Sequence, residues 1–167
     1  MKHRKDAQTS ALSVSRRTAV VAFMLGPFGA VGAATAIALP SARSLRESLR
    51  LALSRQQPLV VMVSLPGCGF CKIVRENYLF PLHQRGDIQV VQVDMRSTAV
   101  VEDSAGKLFT QDGLVRGWGI KIAPTLLFFG PQGVEVSERL KGMPSADYYG
   151  AILEERLAIA AKAIPSA

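Results

Sequence analysis

Cysteine is almost absent: the 167-residue chain carries two, Cys68 and Cys71, and none elsewhere. A structural disulfide framework spreads several cysteines along a chain to close long loops, and this chain cannot build one. A bridge between these two would close almost no loop and add little stability through chain entropy. Histidine is scarce too, with His3 near the start and His83 after it. A tetrahedral zinc site needs four ligands, and two cysteines supply half of one, so no metal is expected. Beyond Leu39 no long apolar run occurs, which excludes a multi-pass membrane protein. Basic runs are missing from the same region, where Lys and Arg interleave with Asp and Glu, so no nucleic-acid partner is expected. There is no internal repeat.

The first forty residues differ from the rest. Positions 1–17 hold Lys2, Arg4, Lys5, Arg16 and Arg17 against one acid, Asp6. Thr18 to Leu39 is uncharged and apolar, and Ala36-Ile37-Ala38 offers small residues at its end. Those are the three parts of a secretory signal. Ser15-Arg16-Arg17 partly matches a twin-arginine signal, with Ala19 and Val20 where that motif prefers Phe and Leu. The stretch is long enough to span a bilayer, so a retained membrane anchor over 18–39 is the alternative to cleavage. Gly26, Pro27, Gly29 and Gly32 make it a mediocre helix. Residues 1–38 are therefore expected to be a signal or anchor, and 39–167 the functional domain, periplasmic or otherwise exported. Without the leader the chain loses five basic residues and one acid, and its net charge falls from +7 to +3.

What remains reads as alternating helices and strands. Ser44-Leu45-Arg46-Glu47 is a capping-box pattern, and Leu45, Leu49, Ala52 and Leu53 continue it at helical spacing to about Gln56. Leu59 to Val63 is a short apolar run suited to a strand buried on both faces. Pro66-Gly67 turns into the cysteine pair, and Lys72 to Phe80 reads as a helix that Pro81 bends or ends. Ile88 to Val93 is a second strand, closed by Asp94. Residues 95–111 show little pattern and are expected to form a surface loop, followed by a short helix over Asp112–Trp118. Thr125–Phe129, a Gly130–Gly133 turn and Val134–Leu140 predict a hairpin. Tyr148, Tyr149, Ile152, Leu153, Leu157 and Ile159 mark a final amphipathic helix from Ser145. This order predicts an α/β fold with a central mixed sheet and helices on both faces.

A cysteine pair just after a core strand, at the mouth of a helix, has chemical consequences. A thiol attacks a disulfide as thiolate, and the helix N-terminus favours negative charge. Cys68 is the expected nucleophile, with its pKa below the free value of about 8.5. Cys71, one turn later on the same face, is the expected resolving thiol. Gly69 admits a substrate chain, and Phe70 offers an apolar contact. Metal binding and a catalytically silent pair are the alternative readings of the cysteines. Trp118, Phe128, Phe129, Tyr148 and Tyr149 are expected in the core. Asp94, Glu102 and Asp103 are assigned no role.

Two motifs in order, Val60-Val61-Met62-Val63-Ser64 leading into Cys68-Gly69-Phe70-Cys71-Lys72, and Trp118-Gly119-Ile120-Lys121-Ile122-Ala123-Pro124-Thr125, give a family resemblance. Over about 57–160 the chain resembles the thioredoxin superfamily, in particular its exported members, with the small SoxW-like periplasmic thioredoxins nearest. The resemblance implies a thioredoxin-like fold and a redox-active Cys68–Cys71 disulfide with no other cofactor. It also implies a cis Pro124 packed against that disulfide, with the backbone of Ala123 bonding an extended substrate; a trans proline opening an edge strand is the alternative. Several positions depart from thioredoxin proper. Gly67 precedes the pair where thioredoxin has tryptophan, and Phe70 stands where it has proline. Met62 takes the place of a buried acid, so the Cys71 proton would need water or a group near Ser64. Gly-Phe is closer to the Gly-Tyr of disulfide isomerases, which carry a dimerisation domain for which this chain has no room before Leu59. A monomer is expected, reducing disulfides of exported proteins and recharged by a membrane electron donor. Alternatives are a disulfide-donating oxidant or isomerase that hands electrons to an acceptor, and a non-catalytic binding module.

Overall fold

The computed structural model describes residues 37–165, so the leader expected over 1–38 lies outside the described residues apart from its last two. Leu59–Ser64 (β1) is buried at every position, as an apolar β-branched run demands when both faces are covered. It pairs in parallel with Gln89–Asp94 (β2) and antiparallel with Thr125–Phe129 (β5), which pairs antiparallel with Glu135–Lys141 (β6). The sheet order is β2-β1-β5-β6. It is the mixed sheet of a thioredoxin-like fold.

Because a strand alternates its side chains, β1 feeds two layers. Leu59, Val61 and Val63 face Leu45, Leu49 and Ala52 of the helix Leu45–Ser54 (α1), together with Leu114 and Val115 of the helix Gln111–Gly117 (α4). Val60 and Met62 join Cys71, Val74, Leu79, Tyr149 and Leu153 in the other layer. That second layer comprises Gly69–Ile73 (α2), Phe80–Arg85 (α3) and Ala146–Lys162 (α5). Ser44 caps α1 by accepting the Glu47 N–H. The reciprocal half of the capping box is missing, because the Glu47 carboxylate is taken by Arg50, and α1 ends two residues before Gln56.

Two expectations are corrected and a third is narrowed. Residues 95–111 are not a plain loop: Val100–Glu102 (β3) and Leu108–Thr110 (β4) form an antiparallel hairpin. Each strand is only three residues long, and Val101 alone is fully buried, too short an alternation to register in sequence. Asp103 closes its turn by accepting the N–H groups of Ala105 and Lys107. Of the two outcomes left open at Pro81, a bend or an end, the helix does not end there. A π-helical turn over Val74–Leu79 joins α2 to α3, with the Phe80 N–H donating to Arg75. The wider turn gives the proline ring room that an α-helical turn denies it. In α5, Tyr148 is 67% exposed and Ile159 also faces solvent, while Ala160 takes a buried place.

The chain ahead of α1 is part of the fold. Leu39 is buried in the layer that holds Cys71. The Gln92 N–H donates to Pro40 and the Ala42 N–H donates to Gln92, both at 2.8 Å, so this segment covers the open edge of β2. Leu39→Ala should cost about 2–3 kcal/mol in urea unfolding, against under about 0.5 kcal/mol for Tyr148→Ala; equal losses would contradict the packing.

Tyr149 is fully buried with its ring on Tyr78, and among the described residues its hydroxyl has no hydrogen-bond partner. Burial first, and Tyr78 second, push its pKa above the usual tyrosine value. In the unfolded chain this phenol ionises above about pH 10, while in the fold it keeps its proton, so stability drains away as pH rises past that point. Tyr149→Phe should match or exceed the parent by about 1 kcal/mol at neutral pH and should flatten the alkaline loss. A clear destabilisation at pH 7 would count against an unbonded hydroxyl.

Candidate functional site

The β1 strand delivers the chain directly to the cysteines. Leu65-Pro66-Gly67 makes the turn, with Gly67 at φ 77°, a conformation that favours glycine, and the Cys68 N–H donates to Leu65 at 3.1 Å. Cys68 is the N-cap of α2, where its sulfur accepts the Cys71 N–H at 3.1 Å. Cys68 and Cys71 are joined as a disulfide, with 5.2 Å between Cα atoms. Cys68 is half-buried and Cys71 is 0% exposed. One sulfur can be reached from outside; the other sits in the core layer.

The segment before β5 faces this pair. The Ala123–Pro124 peptide bond is cis, and the Ala123 carbonyl oxygen lies 3.8 Å from the Cys68 sulfur. Thr125 Oγ1 donates to Ile122 at 2.7 Å and the Gly142 N–H donates to Pro124 at 2.7 Å, which pin the loop from both sides. Pro124 is buried and Ala123 half-buried. Phe70 is 60% exposed, and Ile73 and Ile122 are exposed as well, so the two segments that carry the cysteines and Pro124 both present apolar surface. Gly69 has open space where a Cβ would stand. All six residues singled out in the sequence, Cys68, Gly69, Phe70, Cys71, Ala123 and Pro124, thus belong to two adjoining segments.

A family model described as a thioredoxin-like domain matches residues 45–157. The chain belongs to that family. The match is to the thioredoxin-like domain as such and not to SoxW-like proteins in particular. Comparison with curated proteins finds no match. Among solved structures, thioredoxin O1 from Arabidopsis thaliana is similar at 15% identity, covering 70% of this chain and 98% of that one, with a TM-score of 0.47. Thioredoxin O2 from the same plant is similar at 18% identity, covering 70% and 95%, with a TM-score of 0.44. The periplasmic thioredoxin SoxS from Paracoccus pantotrophus is similar at 18% identity, covering 62% and 99%, with a TM-score of 0.40.

In this thioredoxin-like domain one part of the site escaped the sequence. A cleft of about 500 Å³ opens beside Cys68, lined by Ser64, Lys72, Arg75, Glu76, Gln92 and Asp94 among others. Met62, at the position where the resemblance implies an acid, is fully buried in the apolar layer with Cys71. Polar groups instead meet at the cleft: Arg75 donates to Ser64 Oγ at 3.2 Å and to Gln92 Oε1 at 2.9 Å, and Gln92 donates to Asp94 at 2.8 Å. Arg75 stands one helical turn after Cys71, a spacing visible in sequence. Gln92 and Asp94 come from β2, and only the parallel register that sets Met62 against Gln92 and Ser64 against Asp94 brings them in.

The burial difference has a direct readout. After reduction, a small alkylating agent should modify Cys68 about tenfold or more faster than Cys71, followed by mass spectrometry of the Cys68→Ser and Cys71→Ser forms. Equal rates would contradict the asymmetry.

Proposed function

We propose that this thioredoxin-like domain is a thiol–disulfide oxidoreductase of the cell envelope that reduces disulfides in exported proteins. The observation that carries it is a reachable sulfur at a helix N-terminus backed by a buried partner, with the cis-proline segment alongside. The Cys68 thiolate attacks a substrate disulfide, forming a mixed disulfide and expelling one substrate thiolate, which takes up a proton. Cys71 then gives up its proton to solvent, and its thiolate attacks the Cys68 sulfur. That step releases the second substrate thiolate, likewise protonated by solvent, and leaves the Cys68–Cys71 disulfide. Two electrons have passed to the substrate, and a membrane electron donor must return two. Ala123, Pro124, Gly69 and Phe70 form the surface against which the substrate chain lies. The basic, then uncharged leader supports export, with anchoring by 18–39 where it is retained.

Apolar burial of Cys71 disfavours its thiolate. That weights the pair toward the disulfide, so the dithiol is a reductant. The opposite direction, donating a disulfide, draws on the Cys71 N–H bonded to the Cys68 sulfur, which favours a thiolate and hence the reduced form.

Titration against glutathione buffers decides between them. A reduction potential near the roughly −270 mV of thioredoxin is expected. A value near the roughly −120 mV of strong oxidants would reverse the direction. Absence of any reversible couple would overturn the oxidoreductase reading. In parallel, the Cys71→Ser chain should accumulate mixed disulfides with exported proteins, and recovery of none would count against the reductase.

A further inference from the structure

The cleft beside Cys68 holds four charged side chains: Lys72, Arg75 and Glu76 from the cysteine helix and Asp94 from β2. They are not equivalent. Lys72 is exposed and Glu76 half-buried, and neither makes an ion pair among the described residues. Arg75 is half-buried, and two hydrogen bonds to neutral oxygens, those of Ser64 and Gln92, fix its guanidinium. No carboxylate among the described residues pairs with it. The nearby acid, Asp94, is held by the amide end of Gln92. One Gln92 side chain therefore accepts from the cation and donates to the anion, keeping the two apart. An arginine cannot shed its proton, so a permanent charge with no carboxylate in direct contact is held at the wall of the cleft that Cys68 also lines.

We propose that Arg75 sets how readily Cys68 ionises, and so tunes the redox equilibrium of the pair, with Ser64 and Gln92 as the positioning residues that hold it there. The inference rests on the oxidoreductase reading and deepens it. A cation lowers the energy of a nearby thiolate while leaving the neutral disulfide almost untouched. It therefore raises the fraction of Cys68 able to attack at neutral pH and shifts the equilibrium toward the dithiol. Such a charge offsets part of the bias that apolar burial of Cys71 imposes in the other direction. Asp94, on the far side of Gln92, acts on the same sulfur with opposite sign and from the same cleft. Met62 contributes no charge from the core side, so both groups that tune the sulfur lie on the wet side.

The test measures the pH profile of Cys68 alkylation in the reduced full chain, and the equilibrium with glutathione, for four forms. Arg75→Gln should slow alkylation at neutral pH roughly three- to tenfold and move its midpoint to higher pH. Its glutathione equilibrium should shift toward the disulfide by a similar factor, tenfold corresponding to about 30 mV. Arg75→Lys, which keeps the charge, should stay near the parent. Asp94→Asn should move the midpoint the opposite way, an outcome that loosened packing alone would not give. Where Arg75→Gln does not fold, as judged by thermal melting, Arg75→Met and the Asp94→Asn comparison carry the same test. A neutral variant with the parent profile, or a lysine variant indistinguishable from the glutamine one, would overturn the proposal. A parent chain with no reversible couple would sink the oxidoreductase reading alone, because the alkylation profile still reports whether Arg75 acts on Cys68.

Discussion

The site depends on one constraint: β1 is buried on both faces and runs straight into the cysteine turn. A strand with two dry faces fixes its neighbours' register, since a slip by one residue would exchange the layers. Leu59, Val61 and Val63 belong to one layer and Val60 and Met62 to the other. The helix after the turn packs on the Met62 side, and its first buried residue is Cys71. Its cap, Cys68, is left at the sheet's end, between the cleft and the cis-proline segment. The two thiols are thus separated by environment more than by distance. That separation suits the two-step exchange proposed above, in which one sulfur meets a substrate and the other does not.

Much of this was legible in the sequence, for a physical reason. The strands β1 and β5 are short apolar runs, β2 is rich in valine, α1 carries a cap and a stripe, and the cysteine spacing is that of one helical turn. Each signal is local, and each survives folding unchanged. The segments that misled are those whose fate no simple pattern of residue types records. Val100–Glu102 and Leu108–Thr110 pair with each other across a turn and bury little beyond Val101. Pro81 left a bend or a stop open because proline ordinarily clashes with the preceding turn, and the π-turn over Val74–Leu79 lets the helix continue. Tyr148 and Tyr149 are neighbours with equal hydrophobicity, and only the direction from which α5 meets the sheet makes one core and the other surface.

The site divides the same way. Cys68, Cys71 and the Ala123-Pro124 segment announce themselves as motifs. Arg75, Gln92 and Asp94 do not, because their meeting is a product of parallel strand register and of the π-turn beyond the cysteines. Asp94 had no reason to be singled out until β2 was set beside β1, with Ser64 as its partner across the pair.

The absence of an acid at Met62 has a consequence for proton movement. An apolar side chain beneath Cys71 can neither take its proton nor solvate its thiolate, so no exit runs through the core. Ser64 is the polar group that β1 offers next along the strand; it is buried, and its hydroxyl already accepts from Arg75. The cleft beside Cys68 is wide enough for several waters and carries four charged side chains in its lining. Of the two sulfurs only that of Cys68 lines this cleft, while Cys71 stays in the apolar layer. A thiol pair built this way is tuned by its wet wall, while its dry wall supplies the burial that keeps the second sulfur in reserve.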